Sequence, residues 1–219
     1  MSAESGVPTF RGQNGLWNKF RPEELANFNA FIQNPELVQD WYAHRREILH
    51  RVKPNPGHYA LVKLEELTQD FMLITQNIDD LHQTAGSGNI VELHGNIFKN
   101  YCITCGMRYD ERDLPEQVSE IWLCECGGFV RPDVVWFGEL LPAEEFQKAE
   151  QFCRRCDILL SVGTSGVVHP AAGLPLTARE GGAFIVEVNP EPTEISSMAD
   201  VVFRQNAGTI LPLIVDRLA

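Results

Sequence analysis

Phe71-Met72-Leu73-Ile74-Thr75-Gln76-Asn77-Ile78-Asp79 is the stretch on which the reading of this chain turns. A nearly continuous apolar run ends abruptly in polar amides and a carboxylate. Strands buried on both faces by helices have this pattern, whereas half-exposed strands alternate. The pattern recurs downstream. Ile158 to Val162 ends in Gly163-Thr164-Ser165, and Ala183 to Val188 ends in Asn189-Pro190. Val201-Val202-Phe203 is a further short strand, and Ile210 to Leu218 a closing helix.

Between and before these runs lie helical segments. Pro22, Pro35 and Pro56 each open one, because proline is tolerated in a helix's first turn. They fill residues 22–68, which read as a helical insertion. Strands alternating with helices predict an α/β fold with a doubly wound parallel sheet. Ligands of such sheets bind beyond the carboxyl ends of the strands, so the polar tips mark the expected binding edge.

Residues 100–130 break the alternation and carry four of the six cysteines, Cys102-x-x-Cys105 and Cys124-x-Cys126. Two such knuckles predict a tetrahedral thiolate site, which suits zinc. Four protein ligands leave no open position, so the metal is expected to be structural. Cys153-x-x-Cys156 ends a helical pattern instead of opening one after a strand, which reads as two ordinary thiols.

Bulk properties narrow the partners. A net charge of -12 repels phosphate backbones and argues against nucleic acid. No apolar run reaches the roughly 20 residues of a membrane helix, and the first residues do not resemble a secretory signal. A cytoplasmic monomer is expected, with six cysteines read as ligands or free thiols.

Taken in order, several blocks resemble the sirtuins, the NAD-dependent protein-lysine deacylases. They are Gly6-Val7-Pro8-Thr9-Phe10-Arg11-Gly12, Thr75 to Asp79, Leu93-His94-Gly95, the cysteine pairs, Pro132 to Glu139, Gly163-Thr164-Ser165 and Val188-Asn189-Pro190. The resemblance covers nearly the whole chain and implies one catalytic domain over residues 1–219. It implies NAD as co-substrate, one structural zinc, and acylated protein lysines as substrates. His94 would be the general base toward the ribose hydroxyls, giving nicotinamide and an O-acyl-ADP-ribose.

Other roles follow from the same resemblance. Phe10 would cover nicotinamide and Arg11 would order the loop over NAD. Asn77, Ile78 and Asp79 would line the nicotinamide pocket, with Gln76 on the ribose. Ser2, Gly163, Thr164, Ser165, Asn189, Pro190 and Glu191 would meet phosphate and ribose, and Ala207 the adenine side. Val135, Phe137, Gly138 and Glu139 would form one edge on which the substrate peptide adds as a strand. Family members precede the first block with a strand ending in Gly-Ala-Gly. Here Met1 stands inside that motif, so the sheet is expected to lack this first strand.

Tyr42-x-x-Arg45 matches the signature of the branch that removes succinyl and malonyl groups, and Ala26 a small residue leaving room for a longer acyl chain. Spacing of three puts both side chains on one helix face. A guanidinium can hold a carboxylate in bidentate fashion, and a phenol can donate to it. By spacing alone, Tyr42 in the core and Arg45 in a surface ion pair with Asp40 or Glu47 is the better reading; the family context reverses that preference. Two other functions share the pocket: a catalytically weak NAD- or peptide-binding module, and a protein ADP-ribosyltransferase.

Overall fold

The computed structural model describes residues 1–9, 21–113 and 121–218; Phe10 and Arg11 lie outside these. Among the described residues, eight strands and eight α-helices are arranged around four apolar clusters. The helical segment comprises α1 (Pro22–Leu25), α2 (Phe28–Gln33), α3 (Pro35–Leu49) and α4 (Pro56–Leu67). α2 was not foreseen. It starts because the Asn27 side chain accepts the Asn29 and Ala30 amides, which a short helix would otherwise leave unpaired. Asn34 and Asn55 cap α3 and α4 in the same way, each directly before the proline that marks the helix in the sequence.

The parallel strands form two sheets. β1 (Leu73–Thr75) pairs β2 (Ile90–Glu92), and β6 (Ile158–Val162) pairs β7 (Phe184–Val188), which pairs β8 (Val201–Phe203). Hydrogen bonding does not continue from β1 to β6. A cavity of about 1580 Å³ lies between them, walled by residues of both strands.

α6 (Ala143–Cys153) and α7 (Leu174–Glu180) pack with β2 and β7 around Val91, Leu93, Ala149, Ala178 and Ile185. On the other side α8 (Ala207–Val215) crosses α4, burying Leu61, Leu64, Leu211 and Val215 against Val188. α8 begins three residues earlier than the sequence pattern implies. The Glu4 carboxylate accepts the amides of Ala207 and Gly208 at 2.9 and 2.8 Å, so the helix can open there.

The third sheet is antiparallel: β3 (Gly95–Cys102) lies between β4 (Arg108–Asp110) and β5 (Val130–Val134). It carries the cysteine pairs at its outer end and packs its inner end under α3. Phe31, Val38 and Ile97 are fully buried there with Tyr42 and Trp136. A side chain of that size contributes about 1.5–3 kcal/mol when fully buried.

Candidate active site

His94 lies between β2 and β3. The Leu93 amide donates to the Thr75 carbonyl at 2.9 Å, and the Val135 amide to the His94 carbonyl at 3.0 Å. Leu93 and His94 itself are thereby tied to the chain on either side. Gly95, the next residue, has φ +76°, and a Cβ there would come within 1.9 Å of the Asp133 carbonyl oxygen. Only glycine lets β3 and β5 approach so closely.

The His94 ring has a defined tautomer. Nδ1 lies 3.0 Å from the Gln76 carbonyl oxygen. A carbonyl can only accept, so Nδ1 carries the proton and Nε2 is the basic nitrogen. Burial lowers the imidazole pKa below its ordinary value, and the bond to Gln76 offsets part of that. The ring is therefore neutral near pH 7, the state a general base needs.

The loop after β1 is held by its own polar groups. Thr75 Oγ1 accepts from the Asn77 amide at 3.0 Å, and the Asp79 carboxylate accepts from the Leu81 amide at 3.1 Å at the start of α5 (Leu81–Ala85). Ile78 is buried, and its carbonyl accepts from the Ile97 amide. The Asn77 side chain donates to Ser2 Oγ at 2.8 Å, and Gln76 Nε2 to Thr164 Oγ1 at 3.5 Å. Ser2, Gln76, Asn77, Asp79, His94 and the Gly163–Ser165 turn all line the cavity between β1 and β6.

Gly163 has φ +62°, and a Cβ there would meet the Met1 nitrogen at 2.5 Å. Asn189, at the tip of β7, donates to the Thr164 carbonyl at 2.9 Å and accepts from the Glu191 amide at 3.2 Å. Its own carbonyl, beside Pro190, receives Arg204. Ala207 faces the interior, its amide held by Glu4. Glu4 and Asn55 escaped the sequence reading. Asn55 joins the first residues to α4 by donating to the Met1 carbonyl at 3.1 Å and to Ser5 Oγ at 2.9 Å. Its position before Pro56 signals a cap; nothing in the sequence signals the second task.

The acyl-recognition candidates divide between core and cavity: of Ala26, Tyr42 and Arg45, Arg45 alone lines the cavity. Ala26 and Tyr42 pack in one cluster with Ile78 and Trp136, and the Ala26 carbonyl accepts from the Phe137 amide at 3.0 Å. That bond, with Val135 tied to His94, fixes one side of the segment that runs through Gly138 to Glu139. Arg45 is only 4% exposed and lines the cavity near Val7, Ile78 and Asp79. Such burial speaks against a surface ion pair with Asp40 or Glu47. Burial lowers the Arg45 pKa, against the pull of Tyr42 and Asp79. A buried cation in a chain of net charge -12 makes a local positive site.

Four thiols meet at the end of the third sheet. The Sγ atoms of Cys102, Cys105, Cys124 and Cys126 all lie within 4.8 Å of one another. Cys102–Cys126 and Cys105–Cys124 are each 3.5 Å apart. Zinc–sulfur bonds of about 2.3 Å in a tetrahedron require sulfur separations of roughly 3.8 Å, so the residues fit the ion. Tyr109 donates its hydroxyl to Cys124 Sγ at 3.1 Å, and the Thr104 amide points at Cys102 Sγ. Such outer bonds orient thiolate ligands. Cys153 and Cys156 behave otherwise. Cys153 is buried, and burial pushes its thiol up to about 12; Cys156 donates to the Cys153 carbonyl.

Residues 1–170 match the family model described as Sir2 family. The chain belongs to the Sir2 family. An NAD-dependent protein deacylase of Aquifex aeolicus (strain VF5) is 52% identical, aligned over 100% of this chain and 91% of that protein. A second, from Mycobacterium tuberculosis (strain CDC 1551 / Oshkosh), is 44% identical over 100% of this chain and 94% of its own. Among solved structures, a Sir2 homolog–NAD complex aligns with a TM-score of 0.92 at 44% identity, covering 99% of this chain and 85% of that one. A Sir2–p53 peptide–NAD+ complex aligns at 0.87 with 32% identity, over 99% and 88%. The Sir2 fold accounts for parallel strands carrying the site and a separate module carrying the cysteines. Among the described residues no helix is long and apolar enough to cross a membrane.

Proposed function

We propose that this chain removes acyl groups from protein lysines in an NAD-dependent reaction, and that it favours acidic acyl groups, succinyl and malonyl, while retaining activity on acetyl. One observation carries the reading. A neutral histidine with its proton fixed on Nδ1 shares a cavity with a buried arginine. The first suits a base acting on a hydroxyl, and the second a substrate carboxylate.

The residues around the cavity fit NAD. Side-chain amides and hydroxyls from Ser2, Gln76, Asn77 and Thr164 line the cavity together. Bound NAD supplies an electrophilic ribose carbon with nicotinamide as its leaving group. The chain supplies the rest. His94 Nε2 takes the proton of a ribose hydroxyl, and the Gln76 carbonyl steadies the ring as charge develops on it. Asn77, Ile78 and Asp79 flank the nicotinamide end, the end to which the family resemblance also assigns Phe10 and Arg11. Gly163, Thr164 and Ser165 meet phosphate, while Asn189, Pro190 and Glu191 meet the distal ribose. Ala207 borders the adenine.

The acylated lysine enters beside Val135, Phe137, Gly138 and Glu139, whose segment adds the substrate as a strand. Arg45 holds the distal carboxylate of the acyl group, and Tyr42 donates to it. The zinc held by the four cysteines keeps its module folded and takes no part in chemistry.

Incubation with NAD and matched acetyl- and succinyl-lysine peptides, followed by product mass, tests this reading. Arg45→Met is expected to cost succinyl turnover roughly a hundredfold and acetyl turnover little. Equal losses on both substrates would remove Arg45 from acyl recognition.

A further inference from the structure

Trp136 sits in the substrate-edge segment but faces away from the edge, into the core. Its indole is 2% exposed, and Nε1 donates to the Tyr42 hydroxyl at 2.8 Å. This bond has a direction that chemistry fixes. An indole N–H can only donate, so the Tyr42 oxygen is the acceptor there. A phenol has one proton, and that proton must therefore point away from Trp136. Among the described residues no acceptor takes it. Burial raises the phenol pKa, so the proton stays on.

Trp136 is itself held firmly. The Arg131 guanidinium lies 3.3 Å from its ring centroid and is 1% exposed. Arg131 forms a two-bonded ion pair with Glu139 and donates to the Val134 carbonyl at 2.7 Å. The same Glu139 carboxylate accepts from the Trp136 amide at 2.7 Å. Backbone and ring of Trp136 are thus fixed at both ends by the Arg131–Glu139 ion pair. A buried indole N–H needs an acceptor, and here that acceptor is the Tyr42 hydroxyl.

We infer that Trp136, clamped by Arg131 and Glu139, is a specificity-determining positioning residue: by donating to the Tyr42 oxygen it commits the Tyr42 proton to a carboxylate at the far end of the acyl chain. The inference rests on the proposed role of Tyr42 and Arg45 in holding acidic acyl groups. An acetyl group has no carboxylate to receive the proton, so the arrangement acts on acidic acyl groups alone.

The test uses the full chain loaded with zinc, and fluorescence anisotropy of labelled succinyl-lysine and acetyl-lysine peptides of one sequence. Trp136→Phe, Tyr42→Phe and the double variant are compared. Trp136→Phe is expected to weaken the succinyl peptide roughly tenfold and leave the acetyl peptide within twofold, as loss of one oriented bond to a charged group implies. The double variant is expected to bind the succinyl peptide no more weakly than Tyr42→Phe alone, since both act through one hydroxyl. Benzothienylalanine at position 136 keeps the indole shape without the N–H, and should reproduce Trp136→Phe even if phenylalanine disturbs packing. Selectivity lost in Tyr42→Phe but kept in both position-136 variants would overturn the role of Trp136 and spare that of Tyr42. Unchanged selectivity in Tyr42→Phe, or no binding of either peptide by the unaltered chain, would overturn both.

Discussion

The two sides of this molecule are joined by different means. On the acyl and zinc side, α3 is bound to the cysteine module by side chains. Gln39 donates to the Trp122 and Val130 carbonyls at 3.1 and 2.7 Å and accepts from the Trp122 amide at 2.8 Å. Glu111 receives His50 at 2.8 Å and Arg46 at 3.7 Å. On the nucleotide side, two short parallel sheets face one another across a large cavity. Much of what spans it is the first five residues, held by Asn77, Asn55 and the Glu4 cap on α8. The difference separates two tasks. Under the proposed reading, the acyl side is prearranged by these bonds and the nucleotide side gains most from binding its ligand.

Removing the metal should break this contrast most severely. Structural zinc contributes on the order of 10 kcal/mol to small modules of this kind. A chelator, or Cys102→Ser, is expected to unfold the third sheet's outer end and free the Gln39 anchor. Hydrogen exchange at Trp122 and Val130 reads this, and retained protection there in chelator would show that the cysteines do not hold a metal.

Acid should loosen the nucleotide side next. His58 is fully buried, with its ring 4.8 Å from that of His82. Burial first, then the nearby His82 and chain amino group, pushes its pKa down to about 3. The folded state keeps it neutral, while the unfolded chain takes up a proton below about pH 6.5. Stability is therefore expected to fall as pH drops from 6.5 toward 3, by at most about 1.4 kcal/mol per pH unit from this residue. Denaturant unfolding at pH 7 and pH 5 measures it. His58→Gln should flatten the slope, and an unaltered slope would assign the pH dependence elsewhere.

The smallest effect belongs to Glu4→Ala. Loss of an exposed helix cap costs about 1 kcal/mol. The expected signature is a lower denaturant midpoint with faster exchange in residues 207–210 and no change near Trp122. Equal loosening on both sides would erase the distinction between them.

The strands whose apolar runs end in polar tips were readable, because burial on both faces forces continuous hydrophobicity; β6 and β8 have the predicted bounds. β3 was not readable. Gly95-Asn96-Ile97-Phe98-Lys99-Asn100 mixes polar and apolar residues, because Asn96 and Asn100 spend their amides on Asp80, Glu92 and the Phe98 carbonyl. β5 hides behind Pro132, a residue that sequence patterns place outside strands. In the site, His94 and the four cysteines stand out by residue type and spacing. Glu4, Gln39 and Trp136 do not, because each acts on a partner 83 to 204 residues away or on an oxygen whose direction no spacing encodes.

One measurement bears most directly on the account: NAD-dependent loss of the acyl group from a succinyl-lysine peptide, followed by mass, for the unaltered chain and for His94→Ala. The account predicts free lysine and an O-acyl-ADP-ribose with the unaltered chain, and turnover at least 100-fold lower (~2.7 kcal/mol) without the imidazole. Undiminished turnover in His94→Ala would contradict it.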